Sequence, residues 1–357
     1  MLGLLVILHN FWTVVSNSAG LLQKSIVSAP LILVAISGIV LVSGVIINIS
    51  NNNNQVQAQT GEQLYQQEQQ VQAGQENVKK IWETSADLKN PESVVYLPKQ
   101  NLLLVSNVNG KPDQKDQNGF ISKISASNGS IIELNWLTGL NAPKGMVVYD
   151  HGSKLYVTDI TDLVEIDIDS GKIIKRFNAP GSTFLNDVAL DNQGNIYVSD
   201  TVTNTIFKLD TNANNSNNTS LQVWLQNPQL NGPNGLHVDN TKNRLIVASL
   251  GQMSKPGAGI EVVNLNNKSI GKLGEEGKTS PIGGLDGIES DATETHYYVT
   301  DNPGGKLLIV NADGSRYETL IDLHTRGTAD LRTIPGQNTI IIPLMQDNKL
   351  VAFKLLQ

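Results

Sequence analysis

The sequence feature that most constrains the fold is a short motif that recurs six times along the chain. Each copy places turn-forming Gly, Pro, Asn or Asp beside a short run of alternating apolar residues, as in the segment 232–239, GPNGLHVD. The copies stand 42 to 52 residues apart, measured between the polar residues Glu92, Lys144, Asn186, Asn234, Asp286 and Asp330. A repeat of this length is typical of solenoids and β-propellers.

Further strand patterns follow each copy of the motif at nearly constant spacing. Runs of Val, Ile, Leu and Tyr with two-residue periodicity are bounded by Gly, Asn, Asp and Pro, and no useful helix-period segment occurs after residue 78. The second strand of every copy ends 14 or 15 residues after the polar residue of the motif, at Asn107, Asp159, Asp200, Ser249, Asp301 and Leu344. A third strand follows in all six copies and a fourth in the first five, which predicts a repeated four-stranded unit.

One strand stands apart from the six copies and indicates how the repeat closes. The last copy has no fourth strand because the sequence stops at Gln357, whereas the strand pattern at 78–84 precedes the first copy. Trp82 stands ten residues before Glu92, as Trp224 stands ten residues before Asn234. We expect residues 78–84 to complete the last blade, which removes an exposed sheet edge. The predicted fold is therefore all-β, a six-bladed propeller over 78–357, and not a solenoid with distinct end caps.

The N-terminal part of the chain has a different character. Leu31–Ile47 is almost wholly apolar and Ile26–Ala29 extends the run, which is long enough to cross a bilayer as a helix. Lys24 on its N-terminal flank favours an outside location for the bulk of the chain. We expect the propeller to be membrane-anchored outside the cytoplasm, or secreted after cleavage at Ala58. The predicted organisation is an N-terminal region 1–25, a transmembrane anchor or signal segment 26–49, a flexible Asn/Gln-rich linker 50–77 and the propeller 78–357.

Composition excludes several classes of function. The chain has no cysteine, which excludes thiol catalysis, thiolate zinc sites and disulfides. A net charge of −7 without a basic cluster argues against a nucleic-acid partner. No serine lies in a Gly-x-Ser-x-Gly setting, and the Gly pairs at 283–284 and 304–305 have no following helix. The pattern therefore gives no support to a serine-nucleophile hydrolase or a phosphate-binding loop.

The polar residues of the six motifs are the candidate functional site. In a propeller the first strand of each blade lines the central channel, so these residues converge although they lie far apart in sequence. Four of them form the predicted set of oxygen ligands, namely Glu92, Asn186, Asn234 and Asp286. Two carboxylates and two amide oxygens are typical ligands of Ca²⁺, with Mg²⁺, Mn²⁺ and Zn²⁺ as open alternatives.

Other polar residues near the axis are candidates for lining the channel or binding substrate. Lys144 and Asp330 occupy the two remaining motif positions, where an ion pair lining the channel competes with a role in binding substrate. Asp187, next to Asn186, is a further channel-lining candidate. His237 follows Asn234 by three residues, and strand alternation places it on the opposite face, towards the packing between blades. We therefore expect a structural role for His237.

These motifs resemble the calcium-dependent six-bladed propellers of the senescence marker protein/gluconolactonase/luciferin-regenerating family, related to diisopropylfluorophosphatase and paraoxonase. Pro91-Glu92 is similar to the family's early Glu ligand. The segments 185–187 (LND), 233–235 (PNG) and 285–287 (LDG) match its Asn, Asn and Asp positions in order. The resemblance covers about residues 78–357 and implies hydrolysis of lactones or organophosphate esters at a divalent ion in the channel.

The resemblance also suggests a mechanism. The ion would stabilise charge on a carbonyl or phosphoryl oxygen of a small-molecule substrate, and Asp286 is the first candidate for general base or nucleophile. Asp187 and Asp330 are weaker candidates for that role. The competing prediction is a propeller that binds a ligand or a protein without catalysis and uses the metal for structure. An adhesion role is a third, weaker alternative.

Overall fold

The computed structural model describes residues 78–211, 220–251 and 258–356, together with four short strands between residues 35 and 60. The chain divides into two compact units, Met1–Glu68 and Gln69–Gln357. In the first unit, the described strands pair in chain order as an antiparallel sheet. They are β1 (Ala35–Ile36), β2 (Ile39–Val42), β3 (Val45–Asn48) and β4 (Ala58–Thr60).

The expected membrane helix over 26–49 is not confirmed. Among the described residues, no helix has the length and the apolar character needed to span a bilayer. Three of the short strands, β1 to β3, lie in this segment. They are rich in Val and Ile, whose branched Cβ atoms favour extended backbone over helix. The rest of this segment, residues 1–25 and most of the predicted linker 50–77 lie outside the described residues.

The second unit contains, within its described residues, six four-stranded antiparallel sheets that form the blades. The first strand of the unit is β5 (Val78–Glu83). Blade 1 consists of β6 (Pro91–Leu97), β7 (Leu102–Asn107), β8 (Gly119–Ser125) and β9 (Ile131–Leu140). Blade 2 consists of β10 (Pro143–Tyr149), β11 (Lys154–Asp159), β12 (Asp162–Asp167) and β13 (Lys172–Asn178). Blade 3 consists of β14 (Leu185–Leu190), β15 (Asn195–Asp200), β16 (Thr205–Asp210) and β17 (Gln222–Gln226).

The remaining strands complete the ring. Blade 4 consists of β18 (Pro233–Asp239), β19 (Arg244–Ser249), β20 (Ile260–Asn264) and β21 (Ile270–Lys272). Blade 5 consists of β22 (Leu285–Ser290), β23 (His296–Asp301), β24 (Lys306–Asn311) and β25 (Tyr317–Asp322). Blade 6 contains β26 (Arg332–Ile334), β27 (Thr339–Leu344) and β28 (Lys349–Leu355). Short 3₁₀ helices occupy Asp150–Gly152 and Pro228–Leu230. The first strands of neighbouring blades contact one another and so surround the axis.

The N-terminal strand of the propeller closes the ring as predicted. Strand β5 pairs with β28 as the fourth strand of blade 6, with Trp82 opposite Ala352. The Trp82 Nε1–H donates to the carbonyl of Ala126 in blade 1 at 3.2 Å. Immediately after the strand, Thr84 N donates to Leu350 O at 3.0 Å. Blade 6 is therefore assembled from both ends of the unit.

Apolar side chains between the blades form the core. Among the described residues, six large buried clusters each join two neighbouring blades, and together they run round the ring. Between blades 1 and 2, for example, Val95, Leu104 and Ile121 pack with Leu155 and Val164. Burial of each such side chain stabilises the fold by about 1.5–3 kcal/mol. The ring is thus held together mainly by contacts between blades.

Candidate functional site

A β-bulge lies at the motif in the first strands of blades 1 to 5. In blade 1 the pairing register shifts between Pro91 and Val94, and the same shift recurs in blades 2 to 5. Two residues of the first strand, such as Glu92 and Ser93, therefore lie opposite one residue of the second strand. The bulge brings both of these residues to the inner edge of the blade. In blades 1 and 3 the local sequence thus supplies two neighbouring side chains, Glu92 with Ser93 and Asn186 with Asp187.

Glycine follows the motif residue in blades 2, 4 and 5 because the first strands approach one another closely. A Cβ atom on Gly287 would lie 2.6 Å from Asp330 Oδ1. A Cβ atom on Gly145 or Gly235 would overlap atoms of Asp187 or Asp286 in the next blade. A side chain at these positions would separate the strands that carry the candidate site.

Hydroxyl groups on the second strands fix the backbone of the motifs. Ser199 Oγ accepts from Asp187 N at 2.9 Å and donates to Asn234 O in the next blade at 2.7 Å. Thr300 Oγ1 accepts from Gly287 N at 2.8 Å and donates to Ala329 O at 2.7 Å. Each hydroxyl therefore ties a bulge to the motif of the following blade. These links hold the motif residues at fixed positions around the axis.

The four predicted metal ligands all lie buried at the axis. Their exposed fractions are 6% for Glu92, 5% for Asn186, 3% for Asn234 and 6% for Asp286. Two of their oxygen atoms, Glu92 Oε2 and Asn186 Oδ1, are buried without a hydrogen-bond partner. Buried oxygen atoms normally have partners, so these two require an explanation. A cation would provide one.

The acidic groups at the axis repel one another and resist ionisation. Burial, reinforced by the carboxyls of Asp286 and Asp330, raises the pKa of Glu92 well above its usual range. Burial raises the pKa of Asp286 to about 7 and that of Asp330 to about 7. Burial and the nearby Asp330 also raise the pKa of Asp187 well above its usual range. A divalent cation among these carboxyls would stabilise their charged forms at neutral pH.

The amide oxygens of the predicted ligand set are as suitable for a hard cation as its carboxylate oxygens. Among the described residues, no three His, Asp or Glu side chains gather as a metal-binding cluster. The predicted set contains only two such residues, Glu92 and Asp286, and reaches four oxygen donors through Asn186 and Asn234. Carboxylate and amide oxygens together are ordinary ligands of Ca²⁺. The residues present therefore fit the ion that the family resemblance implies.

The buried side chain of Lys144 contacts neutral groups. Its Nζ donates to Pro112 O at 2.9 Å and to Ala142 O at 3.1 Å, and lies 4.4 Å from the centre of the Phe184 ring. Burial lowers the pKa of Lys144 to about 8. Asp330 instead accepts hydrogen bonds from Ser93 Oγ and its neighbour's backbone N–H, both at 2.7 Å. This arrangement differs from the expected ion pair between Lys144 and Asp330.

His237 lies on the same first strand as Asn234, after the bulge. Its Nδ1 is 3.9 Å from Glu289 Oε2, and its ring packs against Tyr297 of blade 5. Glu289 also contacts Arg332, and all three charged or polar groups border a cavity of about 300 Å³. His237 packs between blades 4 and 5, as predicted.

The structure brings all seven predicted site residues to the axis, and it adds others that the sequence argument missed. The added residues are Ser93, which bonds to Asp330, Phe184 beneath Lys144, and the pair Thr201 and Asn302. Thr201 and Asn302 follow directly after the second strands of blades 3 and 5. Their equivalent positions in the repeat could have revealed them.

Comparison with solved structures supports the fold. No family model and no curated protein sequence matches the chain. A gluconolactonase from Xanthomonas campestris is similar with a TM-score of 0.57 and 14% identity, over 75% of this chain and 86% of its own. A catalytically inactive virginiamycin B lyase from Staphylococcus aureus, solved with quinupristin, has a TM-score of 0.52 and 15% identity over 78% and 99%. The similarity to a gluconolactonase propeller that the motifs indicated is thus confirmed at the level of the fold.

Proposed function

We propose that the propeller is a metal-dependent hydrolase of the lactonase or esterase type, acting on a small molecule at the axis of the ring. The proposal depends chiefly on one observation, the convergence of Glu92, Asn186, Asn234 and Asp286 with two buried oxygen atoms that lack partners. These four residues would hold Ca²⁺. The likeness to a gluconolactonase fold is consistent with this chemistry, but a fold alone does not specify a reaction.

The residues of this chain would have separate tasks. When bound, the cation would polarise the carbonyl oxygen of the substrate and stabilise the charge that develops there. Asp286 would accept the proton of the attacking water at Oδ1, because its Oδ2 already accepts from Asn302 Nδ2 at 2.6 Å. Water adds to the carbonyl carbon, the ester C–O bond breaks, and the proton returns to the departing alkoxide. Asp187 and Asp330 are the alternative bases.

A non-catalytic role for the metal is the competing proposal, and one observation favours it. Each acidic candidate base already accepts a hydrogen bond from the protein: Asp286 from Asn302, Asp187 from Leu236 N at 2.7 Å, and Asp330 from Ser93. These hydrogen bonds hold the three carboxyls in place whether or not a reaction occurs. In this alternative the propeller binds a ligand or a protein, and the cation only stabilises the channel.

Turnover measured with and without calcium separates the two proposals. The full-length chain would be assayed on a panel of lactones and aryl esters, with Ca²⁺ and with a chelator. A hydrolase would show chelator-sensitive turnover that Asp286→Asn lowers by about 100-fold or more, since general bases contribute on that scale. The control Asp169→Asn changes an exposed carboxylate and should leave the rate unchanged. A chelator-induced fall in melting temperature without turnover on any substrate would favour the non-catalytic proposal.

A further inference from the structure

Two hydrogen bonds from outside the first strands orient candidate metal ligands. Asn186 Nδ2 donates to Thr201 Oγ1 at 3.1 Å, and Thr201 Oγ1 in turn donates to Pro233 O at 2.8 Å. Asn302 Nδ2 donates to Asp286 Oδ2 at 2.6 Å. One amide ligand and one carboxylate ligand are therefore each held by a second polar side chain.

The two supporting residues occupy the same place in the repeat. Thr201 directly follows Asp200 at the end of β15, and Asn302 directly follows Asp301 at the end of β23. In the other four blades this position is apolar, with Val108, Ile160, Leu250 and Met345. A polar side chain thus occurs here only in blades 3 and 5, and in both it bonds to the motif residue of its own blade.

The bond to Thr201 specifies which end of the Asn186 amide faces the axis. A threonine hydroxyl has a single hydrogen, and that of Thr201 is donated to Pro233 O. Thr201 Oγ1 can therefore only accept from Asn186, which requires the NH₂ end of the amide on that side. Asn186 Oδ1 is consequently the end without a hydrogen-bond partner. A reversed amide would set two acceptors against each other and present N–H groups where a cation needs oxygen.

The bond from Asn302 restricts Asp286 in a comparable way. An ionised carboxylate only accepts hydrogen bonds, so the contact fixes the NH₂ end of Asn302 against Asp286 Oδ2. The rotation of the Asp286 carboxyl is then limited, and its oxygen atoms are held in one orientation. This fixed orientation prepares Asp286 to bind a cation.

We propose that Thr201 and Asn302 are positioning residues of a calcium site, which orient Asn186 and Asp286 with oxygen towards the ion. The proposal depends on the proposed function only through the metal, and not through the substrate or the reaction. Partners of this kind behind metal ligands typically change metal affinity by about 10–100-fold when they are removed.

Calcium titration calorimetry on the chelator-treated full-length chain tests the proposal. Thr201→Val removes the hydroxyl at nearly constant volume, and Asn302→Leu removes the amide. We expect each to weaken Ca²⁺ binding by about 10–100-fold, whereas Thr201→Ser should retain the affinity of the wild type. Leu250→Ala alters the equivalent position of blade 4 and should also bind like the wild type. Melting temperatures of the metal-free proteins identify any variant that fails to fold.

The outcomes distinguish this inference from the proposed function. If the wild type binds Ca²⁺ and the folded Thr201→Val and Asn302→Leu variants bind it equally well, the positioning role is overturned while the metal site stands. If Thr201→Ser loses as much affinity as Thr201→Val, the hydroxyl is not the cause and the role of Thr201 is overturned. If the wild type binds no Ca²⁺, the calcium site itself is wrong and this inference is overturned with it.

Discussion

Closure of the ring by β5 predicts a measurable cost for losing one tryptophan. Trp82 packs in the apolar cluster between blades 6 and 1, and its Nε1–H bonds to Ala126 O across that interface. Trp-to-Ala changes in cores cost about 3–5 kcal/mol. Because Trp82 is only partly buried, we expect about 3 kcal/mol for Trp82→Ala, including about 1 kcal/mol for the hydrogen bond. In a unit of this size that corresponds to a fall in melting temperature of about 6 °C.

Thermal unfolding of the full-length chain, followed by circular dichroism, would measure this cost. Trp224→Ala is the matched control, because Trp224 lies at the equivalent place in blade 3 and packs edge-on against Tyr197 with ring centres 5.2 Å apart. Both variants should lower the melting temperature by similar amounts. A Trp82→Ala protein as stable as the wild type, beside a destabilised Trp224→Ala protein, would refute closure by the N-terminal strand.

Two further predictions concern groups other than the proposed metal ligands. Lys144→Met removes the hydrogen bond to Pro112 in the loop between β7 and β8. Loss of a charged hydrogen bond costs about 1.5 kcal/mol, so native-state trypsin cleavage after the exposed Lys115 should become about tenfold faster. Lys123→Met is the control, and equal cleavage rates in the two variants would contradict the role of Lys144. Burial raises the pKa of Glu261 to about 7, so the folded state holds its proton at a higher pH than the unfolded chain and stability falls as pH rises from about 4.5 to 7. Glu261→Gln should therefore melt at a higher temperature than the wild type at pH 8 and at the same temperature near pH 4, and a difference that does not depend on pH would argue against this reasoning.

Much of the propeller could be predicted from the sequence because the same strand pattern occurs six times. Six copies of one motif, each followed by a second strand that ends at a fixed distance, leave few alternatives to a closed ring of blades. The spare strand before Glu92 was assignable because the sixth copy lacked a fourth strand, and a sheet edge needs a partner. Repetition also placed the seven site residues together, since equivalent positions converge in a ring.

Local departures from regular geometry could not be predicted in the same way. The bulge in the first strands of blades 1 to 5 adds a residue without any residue type that requires it. The hydrogen-bond partners of Lys144 depend on the position of the loop that contains Pro112. The periodicity of the sequence does not predict the position of that loop. At the N-terminus, hydrophobicity alone predicted a helix over 26–49, whereas the described parts of that segment are strands rich in Val and Ile.

The central claim is that ring closure assembles one cation site from four oxygen-bearing side chains. Calcium titration calorimetry on the chelator-treated full-length chain, beside a Glu92→Gln variant, tests it most directly. Glu92 is buried, and its Oε2 has no hydrogen-bond partner, so the substitution removes a ligand charge at almost constant volume. We predict one Ca²⁺ per chain for the wild type and binding weaker by about tenfold or more for Glu92→Gln. Absence of binding by the wild type, or equal affinity in the two proteins, would contradict the account.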